Sequence, residues 1–438
     1  MGLGKSLQTI EYIKQKVKEK AGIMLLVVPT SLIYNWEHEL QQFGSEVKYL
    51  IINDTKQKRM NAFQKIESYD VILTTYGLLR QDITYYQSYT FDTCIIDEAQ
   101  NIKNMNAETT KMIKTIKAKT RFALTGTPIE NSLLELFSIF DFLMPGFLST
   151  YANFKARYSI KTIEEHPELL EKLNTQIAPF ILRRKKKDVL KELPDKIETN
   201  IYVDMSEEQK KLYLAQLEQT KKEIHDTLQK EGFAKSQILI LSLLTRLRQI
   251  CIDPRLYVDT DIRSGKLDAL IQILEESIRN GHKILLFSQF PSALKLIQTE
   301  LKENAITFYY LDGSTPSKIR MERVDAFNQD ETSVFLISLK AGGTGLNLTS
   351  ADIVIHLDLW WNPQVENQAT DRSHRIGQKH VVEVIRLIAK GTIEEKILEL
   401  QQKKRHLSDQ VIEGDTRDQI ILSKLTEEEL LSILENKE

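Results

Sequence analysis

The chain has 438 residues, 42% hydrophobic and 27% charged, the balance of an ordinary globular protein rather than a disordered, collagen-like or disulfide-stapled one. At roughly 150 residues per domain it holds material for about three domains. Its 59 basic and 61 acidic residues leave a net charge of −2, so any surface for a polyanion must be local rather than a bulk property.

In chain order, a helical pattern comes first, with Leu7, Ile10, Ile13 and Val17 on one face. The short runs Ile23–Val28, Val71–Leu73 and Cys94–Ile96 are ended by polar residues or proline and read as buried strands. Strands alternating with helices predict a parallel sheet covered on both faces. Residues 140–265 are rich in Lys, Glu, Leu and Gln and read as helices, interrupted by Asn200–Val203, one more strand expected to close the first lobe. The strand–helix rhythm returns at Ile284–Phe287, Val334–Ile337, Ile353–Ile355 and Val381–Ile388.

The expectation is an α/β protein with two parallel-sheet lobes. The first covers 1–205, with a helical insertion at about 140–180, and a second helical insertion covers 206–262. The second lobe covers 263–392, and a helical brace and tail follow at 393–438, with helices at about Ile393–Leu407 and near 426–435. No apolar run is long enough to span a membrane, and no charged-then-apolar leader opens the chain. Cys94 and Cys251 stand far apart without a CxxC or paired histidines, which argues against a disulfide framework or a zinc site and suits a reducing compartment. Both read as core residues.

Four motifs carry chemistry. Gly2-Leu3-Gly4-Lys5-Ser6 matches the end of a phosphate-binding loop running straight into a helix. Its glycines let backbone N–H groups curl around phosphates, Lys5 reaches the β- and γ-phosphates, and the Ser6 hydroxyl ligates Mg²⁺. The helix N-terminus adds its dipole. The first position of that motif falls before Met1, so the chain is expected to be a fragment of a longer protein or to have been started at an internal methionine. Met1-Gly2 with Ser6 also fits an N-myristoylation signal, a reading the later motifs displace. Asp97-Glu98-Ala99-Gln100 follows a buried strand, where parallel sheets bind ligands. Asp97 suits Mg²⁺ and Glu98 suits polarising an attacking water, whereas an isolated Asp-Glu pair would be a helix cap.

Leu124-Thr125-Gly126-Thr127-Pro128 follows the next strand, where small hydroxyl residues can sense a γ-phosphate and a plain turn is the bland alternative. Arg372 and Arg375, three apart, are expected on one helix face as arginine fingers, although most arginine pairs are surface salt bridges. The run Arg183-Arg184-Lys185-Lys186-Lys187 is the most basic stretch, and on its own would be only a solvated face. The eight histidines form no ligand pattern, and His374 reads as structural.

The collinear series GLGKS, VVPTSLIYNWEHEL, ILTTYGLL, IIDEAQNIKN, ALTGTPIENSLLELFSIFDFL, FILRRKKKDVLKELP, LTRLRQICIDP, SGKLDAL, KILLFSQF, YYLDGS, ISLKAGGTGLNLTSAD and HLDLWWNPQVENQATDRSHRIGQ resembles the Swi/Snf-type ATPases, superfamily-two translocases on double-stranded DNA. The resemblance runs from Met1 to about Leu400. It implies two RecA-like lobes of P-loop NTPase type, with ATP and Mg²⁺ as cofactors. It assigns Gly2, Gly4, Lys5 and Ser6 to the phosphates, Ser6 and Asp97 to Mg²⁺, and Asp97 and Glu98 to the catalytic pair, with Glu98 activating water. Gln368, Arg372 and Arg375 are assigned to the γ-phosphate from the second lobe, with Gly343 near the nucleotide. Pro29, Thr30, Thr75, Tyr76, Ser288, Gln289, Gly313, Ser314, Lys340, Thr344, Asn347 and Trp361 match motifs that line the DNA track, contacting mainly phosphates and so reading no sequence. Trp360 reads as core, and Arg184 and Lys185 fall in an inter-lobe linker block.

The implied activity is a DNA-dependent ATPase that moves along duplex DNA and remodels protein–DNA complexes as a monomeric motor, with DNA-bound proteins such as RNA polymerase among its objects. Two rivals stand beside it: a strand-separating helicase of the same superfamily, and an ATPase-dead DNA-binding scaffold with a cut phosphate loop. Lysine outnumbers arginine and isoleucine is common, which suggests an AT-rich bacterial source and hence a cytoplasmic, nucleoid-associated protein.

Overall fold

The computed structural model describes residues 3–126, 133–159, 162, 166, 168–182, 184, 193–231, 233–342 and 346–402. The chain divides into two compact units, one mainly over Leu3–Lys186 and the other mainly over Lys187–His406. The expectations for Gly2, Thr127, Pro128, Arg183, Lys185 to Lys187, Gly343, Thr344 and the tail beyond residue 402 fall outside the described residues.

Five strands form the sheet of the first unit: β1 (Met24–Val28), β2 (Tyr49–Ile52), β3 (Val71–Thr75), β4 (Thr90–Ile96) and β5 (Lys117–Ala123). Their order is β2-β3-β1-β4-β5 and every pairing is parallel. Successive side chains point to opposite faces. Leu25, Val27, Ile72, Cys94 and Ile96 therefore enter one core with Ile102, Ile113 and Phe142. Met24, Leu26, Leu73 and Ile95 enter the other with Ile10, Ile13, Trp36 and Leu40. The continuous apolar run of β1 and the wholly buried residues of β3 are what two covered faces demand. At the edge, β5 exposes Lys117, Lys119, Thr120 and Phe122, and charge on an open edge discourages pairing with another chain. Beyond it the helices Leu133–Leu143, Tyr151–Arg157 and Glu168–Ile177 pack around Phe137, Phe140, Phe154 and Leu173.

The second unit holds β6 (Lys196–Val203), β7 (Ile284–Ser288), β8 (Phe308–Leu311), β9 (Val334–Ser338), β10 (Ile353–His356) and β11 (Val382–Ala389). Their order is β6-β11-β10-β7-β9-β8, again parallel throughout. The strand at 200–203 therefore does not close the first lobe. It is the end of β6, which pairs with β11 from Lys196 opposite Val382 to Val203 opposite Ala389. Pairing partners 186 residues apart leave no local trace, so an apolar run shows that a strand exists without showing its sheet. The boundary expected at 205 consequently moves upstream of β6.

Two long helices, Glu207–Glu231 and Phe233–Ile252, form an antiparallel hairpin in this unit. Tyr213, Leu217, Leu243, Leu244 and Leu247 fill the space between them, and Ala389, Ile393 and Leu400 join the same cluster. Lys266, at the start of the helix Gly265–Arg279, is 1% exposed. Its ammonium donates to the carbonyls of Leu357 and Leu387 at 3.1 Å each and to Glu394 Oε2 at 2.5 Å.

Candidate nucleotide and nucleic-acid sites

In the first unit the candidate residues follow helix and strand ends. Gly4 takes a left-handed φ of 70°, which an L side chain resists, and so turns the chain into the helix Lys5–Lys18. That helix has no side-chain cap and no acidic residue in its first turn, leaving its N-terminal N–H groups and positive dipole end available to an anion. Lys5 Nζ is buried without a hydrogen-bond partner. A buried ammonium left unsatisfied is costly, and a phosphate would satisfy it. Ser6 is half-buried in the first turn.

Asp97 and Glu98 lie at the carboxyl end of β4, 6% and 7% exposed. Trp36 Nε1 donates to Asp97 Oδ2 at 2.9 Å, and the Glu98 amide donates to Asp97 Oδ1 at 2.8 Å. Burial, with the Glu98 charge adding to it, holds the Asp97 carboxyl above its ordinary range. Glu98 is left-handed, with φ 49° and ψ 60°, a strained conformation for a residue with a Cβ. Its side chain accepts from Gln100 Nε2 at 2.8 Å, and Gln100 Oε1 accepts from the Thr125 hydroxyl at 3.1 Å. The strand-end hydroxyl is thereby joined to the acidic pair. A serine hydroxyl and one carboxylate are the hard-oxygen donors that Mg²⁺ accepts when phosphates complete its shell. Among the described residues no group of three or more His, Cys, Asp or Glu could hold a metal by itself.

The expected DNA-track residues of this unit separate into two kinds. Pro29 and Thr30 start a short turn after β1, with Thr30 exposed. Thr75 and Tyr76 are buried, and their hydroxyls are engaged internally: Thr75 accepts from the Leu78 amide at 3.3 Å, and Tyr76 donates to the Asp97 carbonyl at 2.7 Å. Thr75 thus caps the helix that follows β3, and Tyr76 supports the backbone of Asp97.

In the second unit the same strand ends carry the motifs. Ser288 is 1% exposed, and its hydroxyl donates to Asp358 Oδ1 at 2.5 Å. Gln289 donates from its side-chain amide to Asp358 Oδ2 at 2.5 Å. Gly313 and Ser314 are exposed on the loop after β8, which Asp312 and Arg320 brace from beneath. Hydroxyl and amide donors outweigh burial at Asp312 and hold its carboxyl down at about 2. Asn347 is exposed, and the backbone of Lys340 lies in the short helix Leu339–Gly342. Trp360 and Trp361 are both half-buried; Trp360 packs on the sheet core and Trp361 on the helical hairpin.

The arginines depart from expectation. The helix Pro363–Thr370 carries Gln368 and stops before Arg372 and Arg375, which occupy successive turns rather than one helix face. The chain leaves these turns through Gly377, left-handed at φ 103°. Arg372 is 5% exposed and donates from Nε to the Gln368 carbonyl at 3.0 Å, while Arg375 Nη1 donates to the Leu346 carbonyl at 3.0 Å. His374 bonds the Pro194 carbonyl at 2.8 Å, which supports its structural reading. Reading motifs alone missed Trp36, Asp358 and Arg248, because their roles come from contacts with residues far away in sequence.

Two parallel-sheet lobes, the first holding a Gly-Lys-Ser helix start and a strand-end Asp-Glu pair, define a two-lobed protein of the P-loop class. Residues 1–256 match the SNF2-related domain and residues 265–377 the helicase conserved C-terminal domain. The chain belongs to the SNF2-related family. It is 41% identical to an uncharacterized ATP-dependent helicase of Mycoplasma genitalium, over 99% of this chain and 41% of that protein. It is 35% identical to the SWI/SNF-related matrix-associated actin-dependent regulator of chromatin subfamily A member 1 of Mus musculus, over 99% of this chain and 43% of that protein. The SWI2/SNF2 ATPase core of Sulfolobus solfataricus, solved in complex with dsDNA, is 38% identical, with a TM-score of 0.46 over 100% of this chain and 92% of that one. The chain thus spans about two fifths of the length of these curated relatives.

Proposed function

We propose that this chain is a DNA-stimulated ATPase that converts ATP hydrolysis into movement along duplex DNA and so remodels protein–DNA complexes. The observation that carries the reading is the first unit's Lys5, a buried ammonium without a hydrogen-bond partner on an uncapped helix start, whose charge acts on Asp97 at the end of β4. Lys5 and the first-turn amides would take the β- and γ-phosphates, and Ser6 and Asp97 would hold Mg²⁺. Bound there, Mg²⁺ would neutralise charge on the phosphates. Glu98 would orient and polarise the attacking water, with Gln100 and Thr125 fixing its carboxylate. By resemblance to the family, Gln368, Arg372 and Arg375 would act on the γ-phosphate. The exposed loop residues Thr30, Gly313, Ser314 and Asn347 support a track that grips phosphates without reading bases.

The deciding experiment compares ATP turnover of this chain, and of a version extended upstream, with and without duplex DNA. Stimulation by duplex DNA supports the motor, and strand displacement in the same preparation would convert the reading to a helicase. Binding of DNA without any turnover in either version would replace it with a scaffold.

A further inference from the structure

The helical hairpin meets the loop after β10 through Trp361, and a polar side chain joins it to the loops after both β7 and β10. Arg248, on the helix Phe233–Ile252, is 2% exposed. Its Nη1 donates to Gln289 Oε1 at 3.0 Å, its Nη2 donates to the Leu359 carbonyl, and Nη2 lies 3.6 Å from Asp358 Oδ2. The guanidinium also sits over two rings, 5.2 Å from the centroid of Trp361 and 5.7 Å from that of Phe290. Asp358 in turn accepts from Ser288, from the Gln289 amide and from the Gln289 side chain. Both polar ends of the Gln289 side chain are therefore fixed, one by Arg248 and the other by Asp358.

This pair is an expensive way to pack a helix. Burial lowers the proton affinity of Arg248 and raises that of Asp358, so each charge is held against its own solvation preference. Apolar residues of similar volume would pack as well at less cost. What they could not do is hold a glutamine side chain, a backbone carbonyl and an indole ring in one arrangement.

We infer that Arg248 is a positioning residue that locks the Ser288–Gln289 turn and Trp361 into one rigid platform, so that the grip of these loops on nucleic acid depends on the helical hairpin. The inference rests on reading those loops as part of the DNA track. Arg248→Lys keeps the charge and loses the planar fork that bonds Gln289 and Leu359 together. It should raise the duplex DNA concentration for half-maximal ATPase stimulation about tenfold, with the maximal rate at saturating DNA within about twofold of wild type. Combining it with Gln289→Ala should cost no more than the larger single effect, since both act through one contact. Arg248→Met paired with Asp358→Leu removes both charges, and it covers the case in which the lysine variant does not fold. The same loss of DNA affinity is expected in that folded double variant. Wild-type DNA dependence in a folded variant, or additive losses with Gln289→Ala, overturns the inference. A wild-type chain that neither binds nor responds to duplex DNA overturns the reading of the loops, and the inference with it.

Discussion

Lys5 gives a test that separates stability from binding. Lys5→Ala removes an ammonium without a hydrogen-bond partner, and with it the positive charge that acts on Asp97, so two effects of opposite sign should leave the nucleotide-free chain within about 1 kcal/mol of wild type. The rise in melting temperature expected of wild type on adding MgATP should vanish in the same variant. Differential scanning fluorimetry reads both. Glu98→Gln keeps the shape of the side chain and removes the charge, and turnover should fall by at least about 100-fold while DNA binding stays intact. Substantial ATPase in that variant would take the water-activating role away from Glu98.

Asp358 carries a pH dependence. Burial outweighs Arg248 and the Ser288 hydroxyl and pushes its carboxyl up to about 6, from an ordinary value of 3.8. Because the folded value is the higher one, the contribution to stability is complete below about pH 4 and is lost as pH rises through 6. A rise of this size corresponds to about 3 kcal/mol. In urea unfolding, the advantage of wild type over Asp358→Asn should therefore grow as pH falls from 7 to 5, and a difference that stays flat would show that Asp358 does not titrate there.

Among the secondary-structure elements, the buried strands were the most legible part of the chain. Met24–Val28 and Val71–Leu73 are short apolar runs because both faces are covered, and that constraint is written locally. Strand β6 was legible as a strand and illegible as a partner, since Ile197, Ile201 and Val203 give no sign of β11. The site divided in the same way. Lys5, Asp97 and Glu98 stand out because their chemistry needs fixed neighbours in sequence. The inward turn of Thr75 and Tyr76 depends on Leu78 and Asp97, and the end of the helix at Thr370 depends on turns that the arginine spacing does not show.

Lys266 shows what such long-range joints are worth. Its ammonium ties one helix start to the ends of β10 and β11 and to Glu394. Lys266→Ala would strand the Glu394 carboxylate in the interior and should destabilise by about 3–5 kcal/mol. Lys266→Met with Glu394→Leu should recover much of that loss, and chemical denaturation of the single and double variants measures the recovery.

For the whole molecule, two compact units with separate cores predict two unfolding transitions. Tryptophans separate them, because Trp36 lies in the first unit and Trp360 and Trp361 in the second. In a chain with Trp360→Phe and Trp361→Phe, the fluorescence transition should shift on adding MgATP, by about 2.7 kcal/mol at 100 times the dissociation constant. The transition seen in Trp36→Phe should shift less. Equal shifts in both would mean that the two cores unfold as one.

The backbone at position 98 also bears on how this protein could be engineered. A left-handed residue other than glycine costs on the order of 1 kcal/mol, and asparagine and glycine escape most of that cost. A library randomised at this codon and selected only for heat resistance should therefore enrich Gly and Asn and discard the carboxylate. Directed evolution for thermostability would need a simultaneous screen for turnover, or it would drift toward sturdier, inert chains.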